Sequence, residues 1–296
     1  MATLSEWVQG ARPRTLPVAA SPVAVGTGAA YALNRTTWGY ALLALVVSLC
    51  LQIGVNYAND YSDGIRGTDA VRVGPVRLVG QGLADPANVR LAATVSFFVA
   101  GVCGFGLVAL SQAWLLLPVG AACIAAAWYY TGGKNPYGYR GLGEVFVFVF
   151  FGLVATLGTM YAQALTLSWS CLAGAIGVGA LASAILVANN LRDIPTDARN
   201  GKRTLAVRLG DRGTRRLYYL LLFVSLLAVA ACAVVSLTAL VAVAAYLLAV
   251  PVVQLLRSGA TGRDLVPVLA GTGTFQLAWS LLLALGIGGD GPAQLR

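Results

Sequence analysis

The sequence contains no histidine, and only 10% of its 296 residues are charged. Without histidine, the chain cannot build His-ligated zinc sites, histidine-based catalytic triads or haem sites with a histidine axial ligand. Its five cysteines stand singly in apolar stretches and form no CxxC pair, so disulfides and cysteine–metal sites are not indicated. Soluble domains carry about 25% charged residues. The low charge therefore argues against an ordinary cytosolic enzyme and for an integral membrane protein.

Long hydrophobic runs fill most of the chain, in which 58% of the residues are hydrophobic. A helix that crosses a bilayer needs about 20 apolar residues. Nine stretches meet this requirement and predict an all-α polytopic membrane protein with nine transmembrane helices in a single domain, residues 1–296. The stretches are 16–33, 38–58, 91–111, 113–131, 142–163, 169–191, 217–236, 238–256 and 265–287.

Basic residues concentrate on one side of the predicted bundle. If the nine helices alternate in direction, all of the 20 Lys and Arg except Arg35 and Arg296 lie near the N-terminus or after helices 2, 4, 6 and 8. Lys/Arg-rich loops stay on the cytoplasmic side. We therefore expect a cell-membrane protein with a cytoplasmic N-terminus, an external C-terminus and cytoplasmic active-site loops at about 59–90, 132–141 and 192–216. Because topology accounts for the net charge of +9, no nucleic-acid partner is expected.

Acidic residues are scarce, and they cluster after two of the predicted helices. The chain has only 11 Asp and Glu, and five of them lie in segments 56–69 and 189–204. In each segment an asparagine at the cytoplasmic end of a helix is followed by an aspartate four residues later and by another three or four residues beyond. The residues of this pattern are Asn56, Asp60 and Asp63 in the first segment, and Asn189, Asp193 and Asp197 in the second. The first segment also contains Asp69, and the second also contains Asn190.

This spacing predicts one acidic face in each segment. At about 100° per residue, Asn56, Asp60 and Asp63 lie on one side of a helix. Pro195 is expected to kink or end the second helix, so its geometry is less regular. Carboxylates at a membrane boundary repel one another, which calls for a cation between them. Because Mg²⁺ prefers carboxylate, phosphate and water oxygens, the two faces are predicted to clamp a diphosphate through Mg²⁺.

Nearby basic residues suit the same anion. Lys134 and Arg140 follow predicted helix 4, and Lys202 follows the second acidic segment, so they can bind diphosphate oxygens that Mg²⁺ leaves free. The apolar helices would then hold the hydrocarbon attached to the diphosphate. A cation transporter is the alternative interpretation. Transporter sites lie near the membrane midplane, whereas these acids lie at helix ends on one side, which favours an anion bridged by metal.

These residues resemble the UbiA superfamily of intramembrane prenyltransferases, which have nine transmembrane helices around a central cavity and two aspartate-rich motifs that bind Mg²⁺–diphosphate. The second motif matches in Asp193-Ile-Pro-Thr-Asp197. The first departs from the general pattern because residue 64 is glycine and the acids stand at 60, 63 and 69. Segments 10–30, 129–152 and 193–210 resemble the 1,4-dihydroxy-2-naphthoate polyprenyltransferases of menaquinone synthesis.

The resemblance implies a prenyltransferase that moves a polyprenyl group from polyprenyl diphosphate to 1,4-dihydroxy-2-naphthoate, with loss of CO₂ and diphosphate, to give demethylmenaquinol. It implies Mg²⁺ as the cofactor, with Asp60, Asp63, Asp193 and Asp197 as catalytic metal ligands. The expected substrate contacts are Asn56, Asn189, Lys134, Arg140, Lys202, Tyr130 and Arg14. Alternatives within the superfamily are transfer to 4-hydroxybenzoate, homogentisate, chlorophyllide, haem or a glycerol phosphate lipid.

Two of these roles have alternatives in neighbouring residues. The ring of Tyr130 or of Tyr129 is expected to face the allylic cation, because an aromatic face attracts positive charge. Both tyrosines also suit the aromatic belt of a membrane interface. Arg14 or Arg12 is expected to bind the carboxylate of the aromatic acceptor, and both also suit a topogenic role.

Overall fold

The computed structural model of the chain describes residues 2–67 and 76–289. Over these ranges the structure is helical and contains no strand, which confirms the predicted all-α fold. The α-helices are α1 (Leu4–Gly10), α2 (Leu16–Ala32), α3 (Trp38–Ile65), α4 (Pro86–Ser111), α5 (Leu116–Tyr129), α6 (Gly143–Val147), α7 (Ala155–Ala164), α8 (Trp169–Arg199), α9 (Leu205–Ala233), α10 (Tyr246–Arg257) and α11 (Val266–Gly289). A π-helical segment, Phe148–Val154, joins α6 to α7, and 3₁₀ segments cover Pro13–Thr15, Tyr137–Arg140, Leu237–Ala245 and Gly262–Leu265.

Seven helical segments of the described chain are long and apolar enough to cross a membrane, as a multi-pass membrane protein requires. They are Trp38–Ile65, Pro86–Ser111, Gly143–Ala164, Trp169–Arg199, Leu205–Ala233, Leu237–Arg257 and Gly262–Gly289. The apolar helix α5 has 14 residues and α2 has 17. At 1.5 Å per residue, α5 extends about 21 Å, less than the roughly 30 Å of a hydrocarbon core. Helices thus occupy all nine predicted stretches, but nine membrane crossings remain a prediction.

Side-chain caps explain where several helices begin. The Ser168 hydroxyl accepts a hydrogen bond from the backbone of Cys171 at the start of α8. Thr204 caps α9 in the same way through the backbone N–H of Val207. These caps satisfy N–H groups that the first helical turn leaves without a partner. They therefore set the start of α8, which carries Asp193 and Asp197, and of α9, which follows them.

The part of the second acidic segment that carries Asp193 and Asp197 is helical throughout. α8 continues through Pro195 to Arg199, so the proline does not end the helix there. Proline removes one N–H from the hydrogen-bond pattern, and the neighbouring turns retain theirs. A break in helical geometry occurs instead within α9, at Gly210. The φ of 69° and ψ of 178° of this residue lie in a region of backbone conformation that is open to glycine.

The helix α8 is the central element of the bundle and is buried along most of its length. It packs against α2, α9, α11 and the continuous α6–α7 segment. Its sequence is dominated by glycine and alanine, and small residues let membrane helices approach closely. The fully buried ring of Trp279 on α11, for example, occupies the space beside Gly177 that a side chain would need. Most α8 glycines therefore serve packing, as their positions in apolar stretches predict.

A second packing unit joins α3, α4 and the turn between them. Tyr57, Leu78 and Phe97 are buried together in a cluster of their own. The helix α1 covers this unit, where the Trp7 ring lies 5.7 Å from that of Tyr57 in an edge-on arrangement. The Tyr57 hydroxyl donates a hydrogen bond to the Trp7 carbonyl at 2.8 Å. Other residues of α3 and α4 line a central cavity together with residues of α8.

The contact between the α6–α7 segment and α8 depends on two glycines. A Cβ on Gly152 would lie 2.8 Å from the backbone nitrogen of Gly179 and 2.9 Å from the Ala175 carbonyl oxygen. We expect Gly152→Ala to destabilise the protein by about 1–3 kcal/mol, because the two backbones must separate. Gly120→Ala on α5 is the matched control, since no atom lies within 4 Å of its added Cβ. Thermal unfolding in detergent measures both, and equal stability of the two variants would contradict the close approach.

Candidate active site

A cavity of about 550 Å³ lies between α3, α4, α5, the α6–α7 segment and α8. The middle parts of these helices line it with apolar side chains such as Val47, Leu107 and Phe150. The ends of α3 and α8 and the adjoining loops line it with polar and charged side chains. They include Arg12, Thr15, Gln52, Asn56, Asn59, Asp63, Arg77, Tyr139, Asn189, Asn190, Asp197, Lys202 and Thr204. One compartment thus joins a charged end to an apolar chamber.

Asn56 on α3 fixes the segment that precedes α2. Its side-chain nitrogen donates hydrogen bonds to the Ala11 carbonyl at 2.9 Å and to the Thr15 hydroxyl at 3.0 Å. Gln52, one turn earlier, also donates to the Thr15 hydroxyl at 3.1 Å. Between these anchors Arg12 has a left-handed backbone with φ of 56°, which is uncommon for a residue with a side chain. Arg12 lines the cavity, and Arg14 lies at an exposed position outside the lining.

Asp60 fixes the turn after α3. Its carboxylate oxygens accept hydrogen bonds from the backbone N–H of Leu78 at 2.7 Å and of Val79 at 3.1 Å. The neighbouring Arg77 is buried and lines the cavity. The guanidinium groups of Arg77 and Arg12 both interact electrostatically with Asp60. Asp60 itself is 1% exposed and is not among the cavity-lining residues, so in this structure it organises the surrounding basic groups.

Asp63 faces the cavity and connects three parts of the chain. Its Oδ2 lies 3.1 Å from the Lys202 ammonium nitrogen, and its Oδ1 accepts a hydrogen bond from the Tyr139 hydroxyl. The Lys202 nitrogen also lies 4.5 Å from the centroid of the Tyr139 ring. Arg66 lies 5.5 Å from the same centroid. The end of α3, the Tyr137–Arg140 turn and the segment after α8 therefore meet at one carboxylate.

The end of α8 divides its polar residues between the cavity and the surrounding structure. Both carboxylate oxygens of Asp193 accept hydrogen bonds from Arg192, at 2.7 and 2.8 Å. The same guanidinium donates to the side-chain oxygen of Asn189 at 2.8 Å. Asn189 and Asp197 line the cavity, whereas Asp193 is not among the lining residues. An aspartate of each motif is thus bonded to neighbouring protein groups, and another aspartate of each motif faces the cavity.

The remaining predicted site residues are placed as follows. Tyr130 lines the cavity, whereas the ring of Tyr129 is 57% exposed. Lys134 and Arg140 occupy exposed positions outside the lining. Asp69 lies outside the described residues.

The sequence did not single out two residues of the cavity lining, Arg77 and Tyr139. Both lie between the two acidic segments in the chain. Arg77 follows a Gly-Pro-Val sequence, and Tyr139 stands five residues after Lys134. Their only sequence signal is a loop on the same predicted side as the acids.

The cavity offers oxygen donors of the kind that Mg²⁺ prefers. Among residues 2–67 and 76–289, no group of three or more acidic or cysteine side chains is close enough to hold a metal ion by itself. Mg²⁺ commonly takes one or two protein carboxylates and completes its shell with substrate phosphate oxygens and water. Asp63 and Asp197, with the amide oxygens of Asn189 and Asn190, supply hard oxygen donors at the charged end of the cavity. The site therefore fits Mg²⁺ that arrives with a phosphate-bearing ligand.

The fold and the cavity define a membrane-embedded helical bundle with a charged site that adjoins an apolar chamber. The chain matches the family model described as "UbiA prenyltransferase family" over residues 19–264. The match covers most of the chain, so the protein belongs to the UbiA prenyltransferase family. This finding confirms the resemblance carried by the two acidic segments.

Relatives with curated names and solved structures agree with this assignment. The chain is 57% identical over 291 residues to the 1,4-dihydroxy-2-naphthoate octaprenyltransferase of Mycobacterium tuberculosis (strain ATCC 25618 / H37Rv), covering 96% of this chain and 97% of that one. It is 40% identical over 230 residues to the enzyme of the same name from Escherichia coli (strain K12), covering 76% and 75%. A solved UbiA homolog from Archaeoglobus fulgidus, bound to GPP and Mg²⁺, superimposes with a TM-score of 0.63 at 15% identity, covering 94% and 99%. At that identity the structural likeness concerns the fold.

Proposed function

We propose that the protein transfers a polyprenyl group from polyprenyl diphosphate to 1,4-dihydroxy-2-naphthoate, with release of diphosphate and CO₂, in menaquinone biosynthesis. The observation that carries the proposal is the cavity, which joins acidic and basic groups suited to a diphosphate to an apolar chamber suited to its hydrocarbon. Relatives that bear this activity in their names match almost the whole chain at high identity. The acceptor is proposed from these relatives and from the sequence of the loops.

The charged end of the cavity would bind the diphosphate and the acceptor. Lys202 and Arg77 are buried cations in the lining, and Arg12 reaches the same cavity from the N-terminal segment. Guanidinium groups suit flat carboxylates, and an ammonium suits a single diphosphate oxygen. Asp63 and Asp197 would hold Mg²⁺, which would neutralise charge on the departing diphosphate. The remaining proposed contacts rest on the sequence alone. They are the exposed residues Lys134, Arg140 and Arg14, and the aspartates Asp60 and Asp193, whose carboxylates bond neighbouring protein groups.

The apolar chamber would protect the reacting carbon. The bond between the prenyl carbon and the diphosphate oxygen breaks, and that carbon bonds to the naphthalene carbon bearing the carboxylate. Loss of CO₂ then returns the electron pair of the carboxyl bond to the ring, which restores aromaticity. The apolar lining excludes water that would capture the allylic cation. The Tyr130 ring lines this chamber and would stabilise the cation through its electron-rich face.

The charge distribution supports an active site that faces the cytoplasm. The basic connections lie on the predicted cytoplasmic side, and the acidic segments adjoin them in sequence. We propose on this basis a cell-membrane location with the N-terminus inside and the C-terminus outside.

An acceptor panel tests the proposed reaction. Purified protein in detergent receives Mg²⁺, one long prenyl diphosphate and, in turn, 1,4-dihydroxy-2-naphthoate, 4-hydroxybenzoate and homogentisate. We expect mass spectrometry to detect the decarboxylated prenyl product of the naphthoate and little product from the other acceptors. Reactions without prenyl diphosphate are the control. Equal use of 4-hydroxybenzoate would contradict the proposed acceptor. Cation flux into liposomes that contain the protein, without consumption of prenyl diphosphate, would favour a transporter.

A further inference from the structure

Lys202 and Asp63 form an ion pair at the wall of the cavity. Their charged atoms are 3.1 Å apart, and only 7% and 4% of the two side chains are exposed. The second carboxylate oxygen of Asp63 accepts the hydrogen bond from Tyr139. A carboxylate suited to a divalent cation therefore already neutralises a positive charge of the protein itself.

The segment that carries Lys202 is anchored independently of this ion pair. The backbone N–H of Lys202 donates to the Asp197 carbonyl at 2.9 Å, and that of Arg203 donates to the Tyr139 carbonyl at 3.0 Å. The Tyr139 ring, 4.5 Å from the ammonium nitrogen, offers a face that attracts cations. If the ammonium leaves Asp63, these contacts keep it beside the cavity.

A metal ion that binds Asp63 must either displace this ammonium or lie beside it, where the two positive charges repel each other. Separating a buried ion pair is costly because one charge is left without its partner. A diphosphate removes that cost, since its oxygens accept hydrogen bonds from Lys202 and bind the metal at the same time. We infer that Lys202 and the divalent cation compete for Asp63, so that the protein binds the metal tightly only together with a diphosphate. This inference rests on the proposed function, which takes a diphosphate as substrate.

Mn²⁺ binding to purified protein tests the competition without any transfer reaction. Mn²⁺ alone is titrated into the wild-type protein and into variants, and the free ion is measured by electron paramagnetic resonance. Lys202→Met removes the competing charge, whereas Lys202→Arg keeps it. Arg257, in the last turn of α10, occupies an exposed position and is not among the cavity-lining residues. Arg257→Met therefore provides a matched loss of charge outside the proposed site.

We expect Lys202→Met to bind Mn²⁺ about tenfold more tightly than the wild type, within the usual range of coupling between sites. Lys202→Arg should bind it no more tightly than the wild type, and Arg257→Met should equal the wild type. Adding Asp63→Asn to Lys202→Met should remove the gain. With inorganic pyrophosphate present and a protein-free blank subtracted, the difference between the wild type and Lys202→Met should shrink.

Equal or weaker Mn²⁺ binding by Lys202→Met would overturn the competition. If that variant is not monodisperse, Lys202→Gln replaces it with a polar, uncharged side chain and the same expectation. The acceptor panel with wild-type protein separates the two claims. Active wild type without a gain in Lys202→Met refutes only the competition, whereas inactive wild type refutes the proposed function and leaves the Mn²⁺ titration to decide the competition.

Discussion

Asp63→Asn is expected to lower prenyl transfer by about 100- to 1,000-fold, the range typical for losing a group that stabilises developing charge. Asp63 is the cavity-facing carboxylate of the first acidic segment and the partner of Lys202. Asparagine keeps the size of the side chain but removes the charge that a divalent cation and Lys202 require. Initial rates with saturating naphthoate and Mg²⁺ measure the effect. Asp197→Asn, at the corresponding position of the second segment, should act in the same direction.

Asp85→Asn is the matched control for this loss of charge. Asp85 caps α4 by accepting a hydrogen bond from the backbone N–H of Ala87 at 2.7 Å. Asparagine is an equally good helix cap, so this variant should fold and transfer prenyl groups like the wild type. Size-exclusion elution confirms that each variant is folded. Near-normal turnover of Asp63→Asn in folded protein would refute the catalytic role of this carboxylate.

Removing divalent cations is expected to reduce prenyl transfer to background, and adding Mg²⁺ should restore it. The cavity supplies carboxylate and amide oxygens, and the chain has no histidine. Such hard oxygen donors favour Mg²⁺ over soft metals. Because no described cluster of acids holds a metal by itself, we expect the required Mg²⁺ concentration to fall as the prenyl diphosphate concentration rises.

The measurement is the transfer rate after dialysis against EDTA, followed by titration with Mg²⁺. EDTA saturated with Mg²⁺ beforehand is the control, because it exposes the protein to the chelator without removing the metal. Full activity after exhaustive chelation would show that the acidic segments act without a divalent cation.

Much of this protein follows directly from its sequence. Long apolar runs and scarce charge determine an all-α membrane protein, because a bilayer accepts helices that satisfy their own backbone hydrogen bonds. The two Asn/Asp segments point to the family and to the charged end of the cavity. Asn56, Asp63, Asn189 and Asp197 are visible from helical spacing alone, since residues three or four apart share a face.

Tertiary structure alone decided which basic residues reach the cavity. The sequence left Arg12 and Arg14 as alternatives and favoured Lys134 together with Lys202. The structure places Arg12 and Lys202 in the cavity lining and adds Arg77. The orientation of a loop side chain depends on hydrogen bonds to distant residues, such as that from Asn56 to the Ala11 carbonyl. Helical periodicity does not extend into such loops.

The division of labour among the aspartates also required the fold. Asp60 and Asp63 share a helical face, yet one bonds the backbone of the following turn and the other pairs with Lys202, 139 residues away in the chain. Spacing along a helix specifies a direction from its axis, and it carries no information about which segment packs there. The sequence therefore determined that acids, bases and an apolar chamber occur together, and packing determined which of them meet.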